Sequence, residues 1–118
     1  MVSKRDTYRV GLDAELAVGA FLRSDGWTIL EPRWRGARAE VDLIAIKNRR
    51  LRFVEVKFRS PGDPVGLAAV DGRKIKRIER AAEVYLQRFD DYDEACLAVA
   101  YVEPSAGGWE IEFFDNPS

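Results

Sequence analysis

Asp42 lies in the run VDLIAI and Glu55 in FVEVKF, two apolar stretches of strand-like composition that each carry one carboxylate among Val, Ile, Leu and Phe. Strand side chains alternate, so Glu40, Asp42, Ile44 and Ile46 share one face of the first stretch, and Leu51, Phe53, Glu55 and Lys57 one face of the second. A tight turn centred on Asn48 and Arg49 opposes Ile46 to Leu51, Ile44 to Phe53, Asp42 to Glu55 and Glu40 to Lys57. Opposed like charges destabilise a sheet; at ~4 Å they repel by roughly 1 kcal/mol in water and ~4 kcal/mol at an intermediate effective dielectric. The pattern asks for a positive partner. A divalent cation with oxygen ligands answers best, Mg2+ first, because that ion is content with a few carboxylates, waters and substrate phosphates. Lys57, on the side of Glu55, is placed to orient or help deprotonate an attacking water and to stabilise charge on a phosphorus-centred transition state. The alternative without chemistry is a surface hairpin with a Glu40 to Lys57 ion pair.

No histidine occurs, which excludes imidazole-based nucleophile systems and Cys/His zinc sites and leaves carboxylates, lysine, arginine, hydroxyls and bound ions for any reaction. The 118 residues, 47% of them hydrophobic, suit one globular domain with a modest core. A lone cysteine, Cys96, points to a reducing cytoplasm, and it reads as a packing residue, as do Trp34 and Trp109. The N-terminus has no signal-peptide core, and the longest apolar run, residues 95–102, is too short to span a bilayer. Net charge is -1 but unevenly spread: residues 1–30 balance to 0, residues 31–80 carry +7 and residues 81–118 carry -8. A basic middle is what a phosphate backbone requires, while the near-neutral total argues against indiscriminate coating of nucleic acid.

Glu15 is a second candidate. Its neighbours one turn away are Gly11, Leu12, Val18 and Gly19, so no cation on its own helix pairs with it, and the glycines leave a groove open to a chain segment, an ion or a phosphate. Arg73, Arg77 and Arg80 form a stripe on a later helix, opposite Ile75, Ile78 and Ala82, and suit backbone contacts or plain solvation.

The elements that must position these residues follow from periodicity and punctuation. Val10, Ala14, Ala17 and Phe21, with Leu12, Leu16 and Ala20, predict a helix from about Thr7 to Asp25, capped by Asp6 or Thr7 and stopped at Gly26. A short strand over 27–30 precedes Pro32 and an arginine-rich connection; strands over 40–46 and 51–58 form the hairpin. Residues 60–72 hold two prolines and three glycines and predict a flexible connection. A helix from Asp71 or Gly72 to about Phe89, a strand over 96–102, a turn over 104–108 and a strand over 109–114 complete the order αβββαββ.

The segments GLDAELAVGAFLRSDGWTILEPRWRGARAEVDLIAI, LRFVEVKFRS and VDGRKIKRIERAAEVYL, spanning about residues 8–88, resemble the bacterial YraN family, also called UPF0102, an endonuclease-like group. That family is similar to PD-(D/E)xK nucleases, near the archaeal Holliday-junction resolvases. The resemblance implies a restriction-endonuclease-like three-layer α/β fold with a central mixed β-sheet flanked by helices. It implies a Mg2+- or Mn2+-dependent DNA endonuclease hydrolysing phosphodiester bonds, on branched or damaged DNA. Asp42 and Glu55 then hold the metal with the carbonyl of Val56, Lys57 positions the nucleophilic water, and Glu15 assists through water or a second ion. Arg59, Lys74 and Arg77, with Arg73 of the stripe, become DNA-backbone contacts. Related resolvases work as dimers, which leaves a homodimer open. After the second helix such proteins show a strand opening Arg-Phe-Asp-Val, whereas this chain has ACLAVAYV behind four acids, so strands over 95–114 are expected to diverge. The rival expectation is a non-catalytic nucleic-acid-binding or protein-interaction module on the same fold.

Overall fold

The computed structural model describes residues 4–59 and 72–116. The expected flexible connection over 60–72 lies outside them except for Gly72, which opens a helix. Elements follow the order α1 (Lys4–Ser24), β1 (Thr28–Gly36), β2 (Ala39–Lys47), β3 (Arg50–Phe58), α2 (Gly72–Leu86), β4 (Glu94–Ser105) and β5 (Gly108–Asp115). The five strands form one sheet in sequence order, antiparallel except for the parallel pair β3 and β4 that α2 connects. The result is a three-layer α/β arrangement, with α1 on one face and α2 on the other.

Each face has its own core. Ala14, Val18 and Leu22, spaced by four residues, seat α1 on Leu43, Ala45, Val54, Ala100 and Val102. Of the apolar residues that predicted this helix, only Ala14 belongs to that stripe; Leu16 is 70% exposed and Phe21 45%. The stripe is narrow because Gly19 and the half-buried Gly11 and Glu15 share the inward face. On the other side Ile75, Ile78, Ala81, Ala82 and Tyr85 of α2 pack on Val41, Ile44, Leu51, Phe53 and Leu97. Tyr85 anchors this layer, meeting Trp34 edge-on at 5.3 Å and Phe53 at 5.9 Å.

Several boundaries differ from expectation: α2 ends at Leu86 rather than about Phe89, and β4 runs from Glu94 to Ser105 and β5 begins at Gly108, so the expected strand over 96–102 is longer and the expected turn over 104–108 shrinks to residues 106 and 107. Helix α1 begins at Lys4, not near Thr7. The first strand does not stop at Leu30 but runs through Pro32 to Gly36 as the edge of the sheet, where proline's missing N–H costs no ladder bond. It does so with a register shift between Ile29 and Glu31 and with Arg33 at φ 50°, and it turns into β2 through Ala37 and Arg38, both left-handed. Gly36 lets the chain pass close to the Trp34 indole; a Cβ there would stand 2.3 Å from its Cη2 atom. The turn at Asn48 and Arg49 is likewise a two-residue connection of left-handed residues, and it sets the hairpin register that its position predicts. Among the described residues no helix is long and apolar enough to cross a membrane.

Candidate functional site

The ladder between β2 and β3 runs from Lys47 opposite Arg50 to Leu43 opposite Val54 and ends there. Asp42 and Glu55 are therefore not the ladder pair that alternation predicts, nor are Glu40 and Lys57. The packing of β2 supplies the reason. Val41 and Ile44 point to the α2 core while Leu43 and Ala45 point to the α1 core, so strict alternation fails at the residue between Val41 and Leu43. Asp42, freed from either face, accepts a hydrogen bond at Oδ2 from the Val56 N–H at 2.8 Å.

The two carboxyl groups still meet. Glu55 is the only buried charged side chain among the described residues, 5% exposed, and it faces Asp42 across the end of the ladder. The Asp42 carboxyl is pushed up to about 8 from an ordinary 3.8. Burial is the largest cause, followed by the Glu55 charge; the Glu15 charge and a hydrogen bond with Glu55 add to it, and the Val56 N–H opposes. Carboxylate oxygens of Glu15, Glu40 and Asp42 come within 4.8 Å of one another.

Asp42 borders a cavity on each side of the sheet. The α2-side cavity, about 460 Å3, is lined by Arg38, Glu40, Asp42, Glu55, Lys74 and Arg77 among others. The α1-side cavity, about 220 Å3, sets Glu15 and Arg33 against Leu12, Leu16 and Pro32. Cations reach the acids from both sides: Lys74 Nζ lies 2.7 Å from Glu55, and Arg33 donates to Glu15 at 2.8 Å. The groove beside Glu15 is thus entered by a segment of the same chain.

The other expected site residues are spread out. Lys57 sits half-buried on β3 two residues past Glu55, opposite Tyr101 of β4, and is not part of the cavity lining. Val56 supplies the N–H that holds Asp42. Arg73 is exposed at the start of α2, and Arg77, one turn further, reaches the cavity. Arg59 is engaged elsewhere, its guanidinium over the Tyr101 ring at 5.3 Å and within 3.5 Å of Glu103 and 3.8 Å of Glu112.

Sequence reasoning missed the gathering of Glu40, Arg33 and Arg38. The only hint was the density of charge in PRWRGARAE; what brings them in is the edge-strand irregularity at Arg33 and the tight turn at Arg38. A larger cavity, about 710 Å3, lies near the β2–β3 turn. There the charges are already matched in the pairs Lys47 with Asp25, Arg50 with Glu94, and Arg52 with Asp115. Cys96 in that wall is half-buried, and burial holds its thiol above the ordinary range, in keeping with a packing role.

The pattern of the uncharacterised protein family UPF0102 matches residues 14–92, more than half of the chain. The chain belongs to that family. A UPF0102 protein of Synechococcus sp. (strain JA-3-3Ab) is 42% identical over 100 residues, covering 81% of this chain and 75% of the relative. A UPF0102 protein of Fusobacterium nucleatum is 34% identical over 114 residues, covering 94% and 92%. The UPF0102 match takes in Glu15, Asp42, Glu55, Lys57 and α2 and ends at Tyr92, so β4 and β5 lie beyond it.

Proposed function

We propose that the protein is a divalent-cation-dependent DNA endonuclease, hydrolysing phosphodiester bonds at the pocket where β2 and β3 leave their ladder. One observation carries this reading: two carboxyl groups converge at the end of the ladder, Asp42 fixed by a backbone N–H in a place that disfavours its charge, and Glu55 buried beside it. Burying acids together costs folding stability; Lys74 offsets part of that cost at Glu55, and a divalent cation shared by the carboxyl groups would offset more of it.

Three acids beside the pocket have spacing suited to a hard cation; Glu55 lies outside that grouping and joins it through its contact with Asp42. Oxygens around one Mg2+ stand about 3 to 4 Å apart, given metal–oxygen distances of about 2.0–2.1 Å, so the 4.8 Å grouping of Glu15, Glu40 and Asp42 needs only a small contraction. Asp42 and Glu55 would hold Mg2+ or Mn2+, with the Val56 carbonyl and Glu15 or Glu40 completing or supporting the set. Bound there, the ion would lower the pKa of a water and neutralise charge on the phosphate. The chain's own groups do the rest. The Val56 N–H keeps Asp42 aimed at the gap, Arg38 and Arg77 line the cavity where a phosphate would enter, and Lys57, two residues past Glu55 and outside the lining itself, would orient the attacking water.

Purified protein with Mg2+ or Mn2+ on linear, nicked and four-way DNA tests the reading, alongside Glu55→Gln and Lys57→Ala. Cleavage by the parent protein that both substitutions abolish is the expected result; cleavage that survives both assigns the activity to another site or a contaminant. A non-cutting DNA-binding module is favoured by one observation, that Lys74 and Arg33 already neutralise Glu55 and Glu15. It predicts DNA affinity that falls with salt and ignores both metal and Lys57→Ala.

A further inference from the structure

Resting on the cation-dependent reading of this pocket, the geometry points to Lys74 as its internal counter-ion, an ammonium that a divalent cation must displace from Glu55. Nζ lies 2.7 Å from Glu55 Oε1, on an oxygen that the proposed ion needs. The placement is not the accident of a loose surface chain. Lys74 is in the first turn of α2, and the next residue, Ile75, with Ile78 one turn on, anchors that turn in the core.

The pair is asymmetric in a way that suits exchange. The Lys74 side chain is 43% exposed and that of Glu55 only 6%. The lysine stem can therefore swing into water without moving the helix, whereas Glu55 cannot follow it. An ion pair with one exposed partner is weak, so displacement is feasible; it is also a tax on cation affinity, because the ammonium and the ion compete for one carboxylate. Arg33 on the other face is held differently. Its Nε and Nη2 both reach the same oxygen of Glu15, at 3.1 and 2.8 Å, a forked grip on an acid of secondary rank in the proposed set. Once displaced, Lys74 stays at the mouth of a cavity that also holds Arg38 and Arg77, so cation binding adds a positive charge where a substrate phosphate arrives.

The test is Mn2+ titration of the metal-free full chain, read by calorimetry and by the electron paramagnetic resonance signal of free Mn2+. The parent protein is compared with Lys74→Gln, Lys74→Met, Asp42→Asn and, as a charge control on the same helix, the exposed Lys76→Gln. Both Lys74 variants should bind Mn2+ about three- to tenfold more tightly than the parent, the range expected on losing a weak competing ion pair. Lys76→Gln should change affinity by less than about twofold, and Asp42→Asn should lose binding. Unchanged or weaker affinity in both Lys74 variants, with binding still lost in Asp42→Asn, overturns the counter-ion role and leaves the cation reading standing. Equal binding by all five proteins, or binding by none, overturns the cation reading and the Lys74 proposal with it.

Discussion

Replacing Asp42 by Asn is expected to stabilise the metal-free protein at pH 8 and to leave it unchanged near pH 4. The folded chain holds this carboxyl up to about 8, against 3.8 for an ordinary side chain. Below about pH 4 both folded and unfolded chains carry the proton, and the site costs nothing. Between about pH 4 and pH 8 the unfolded chain releases the proton freely while the folded chain retains it, so stability falls as pH rises. Above about pH 8 both are ionised and the penalty is constant. At about 1.4 kcal/mol per pKa unit the full gap sets a ceiling of ~6 kcal/mol, which relaxation of the pocket and entry of water lower to about 3 kcal/mol. Asparagine keeps an acceptor for the Val56 N–H but a neutral one, which returns about 1 kcal/mol of that. The net gain at pH 8 is ~2 kcal/mol, or about 6–10 °C in melting temperature for a chain of this size. Thermal melts followed by circular dichroism across this pH range, in chelator, measure it. A variant no more stable than the parent at pH 8, or a gain independent of pH, would refute the reasoning. With about 10 mM Mg2+ and a Kd of ~1 mM, the parent alone should recover ~1.4 kcal/mol at pH 8.

Lys57→Ala should lower hydrolysis by about 100- to 10,000-fold while Mn2+ affinity stays at the parent value, measured by single-turnover cleavage and calorimetry. Arg77→Ala should weaken DNA binding across all sequences and reduce the slope of log affinity against log salt by about 1, read from fluorescence anisotropy in Ca2+. Leu22→Ala, at a fully buried position under α1, should cost about 2–5 kcal/mol in urea denaturation. Gly36→Ala sets a methyl 2.3 Å from the Trp34 ring and must push the indole off Tyr85; a loss of about 1–3 kcal/mol and a changed near-ultraviolet circular dichroism spectrum are expected.

The hairpin was readable because its evidence is local. Asn48 and Arg49 stand between two β-rich runs, and a two-residue turn leaves one register for the strands that follow it. Helix α2 was readable for a similar reason, since Ile75, Ile78, Ala82 and Tyr85 repeat at helical spacing on one side. Helix α1 was readable as a helix but not in its orientation, because apolar residues surround it and only docking decided that Ala14, Val18 and Leu22 face inward. Strand β1 was cut short at Pro32, since a proline ends a central strand but is tolerated on an edge, and edge position is a property of the whole sheet.

Sequence alone determined that Asp42, Glu55 and Lys57 belong to adjacent strands and that any chemistry must do without imidazole, because residue type and short-range periodicity carry that information. Tertiary structure alone decided how the carboxyl groups meet. Val41 and Ile44 are claimed by one helix layer and Leu43 and Ala45 by the other, and the residue left between them turns into the gap to take the Val56 N–H. It also decided which cations attend them: Lys74 comes from α2 and Arg33 from the edge strand β1, 19 residues after Glu55 and 18 after Glu15 in the chain. No local pattern encodes such encounters, because they exist only once both helices have packed against the sheet.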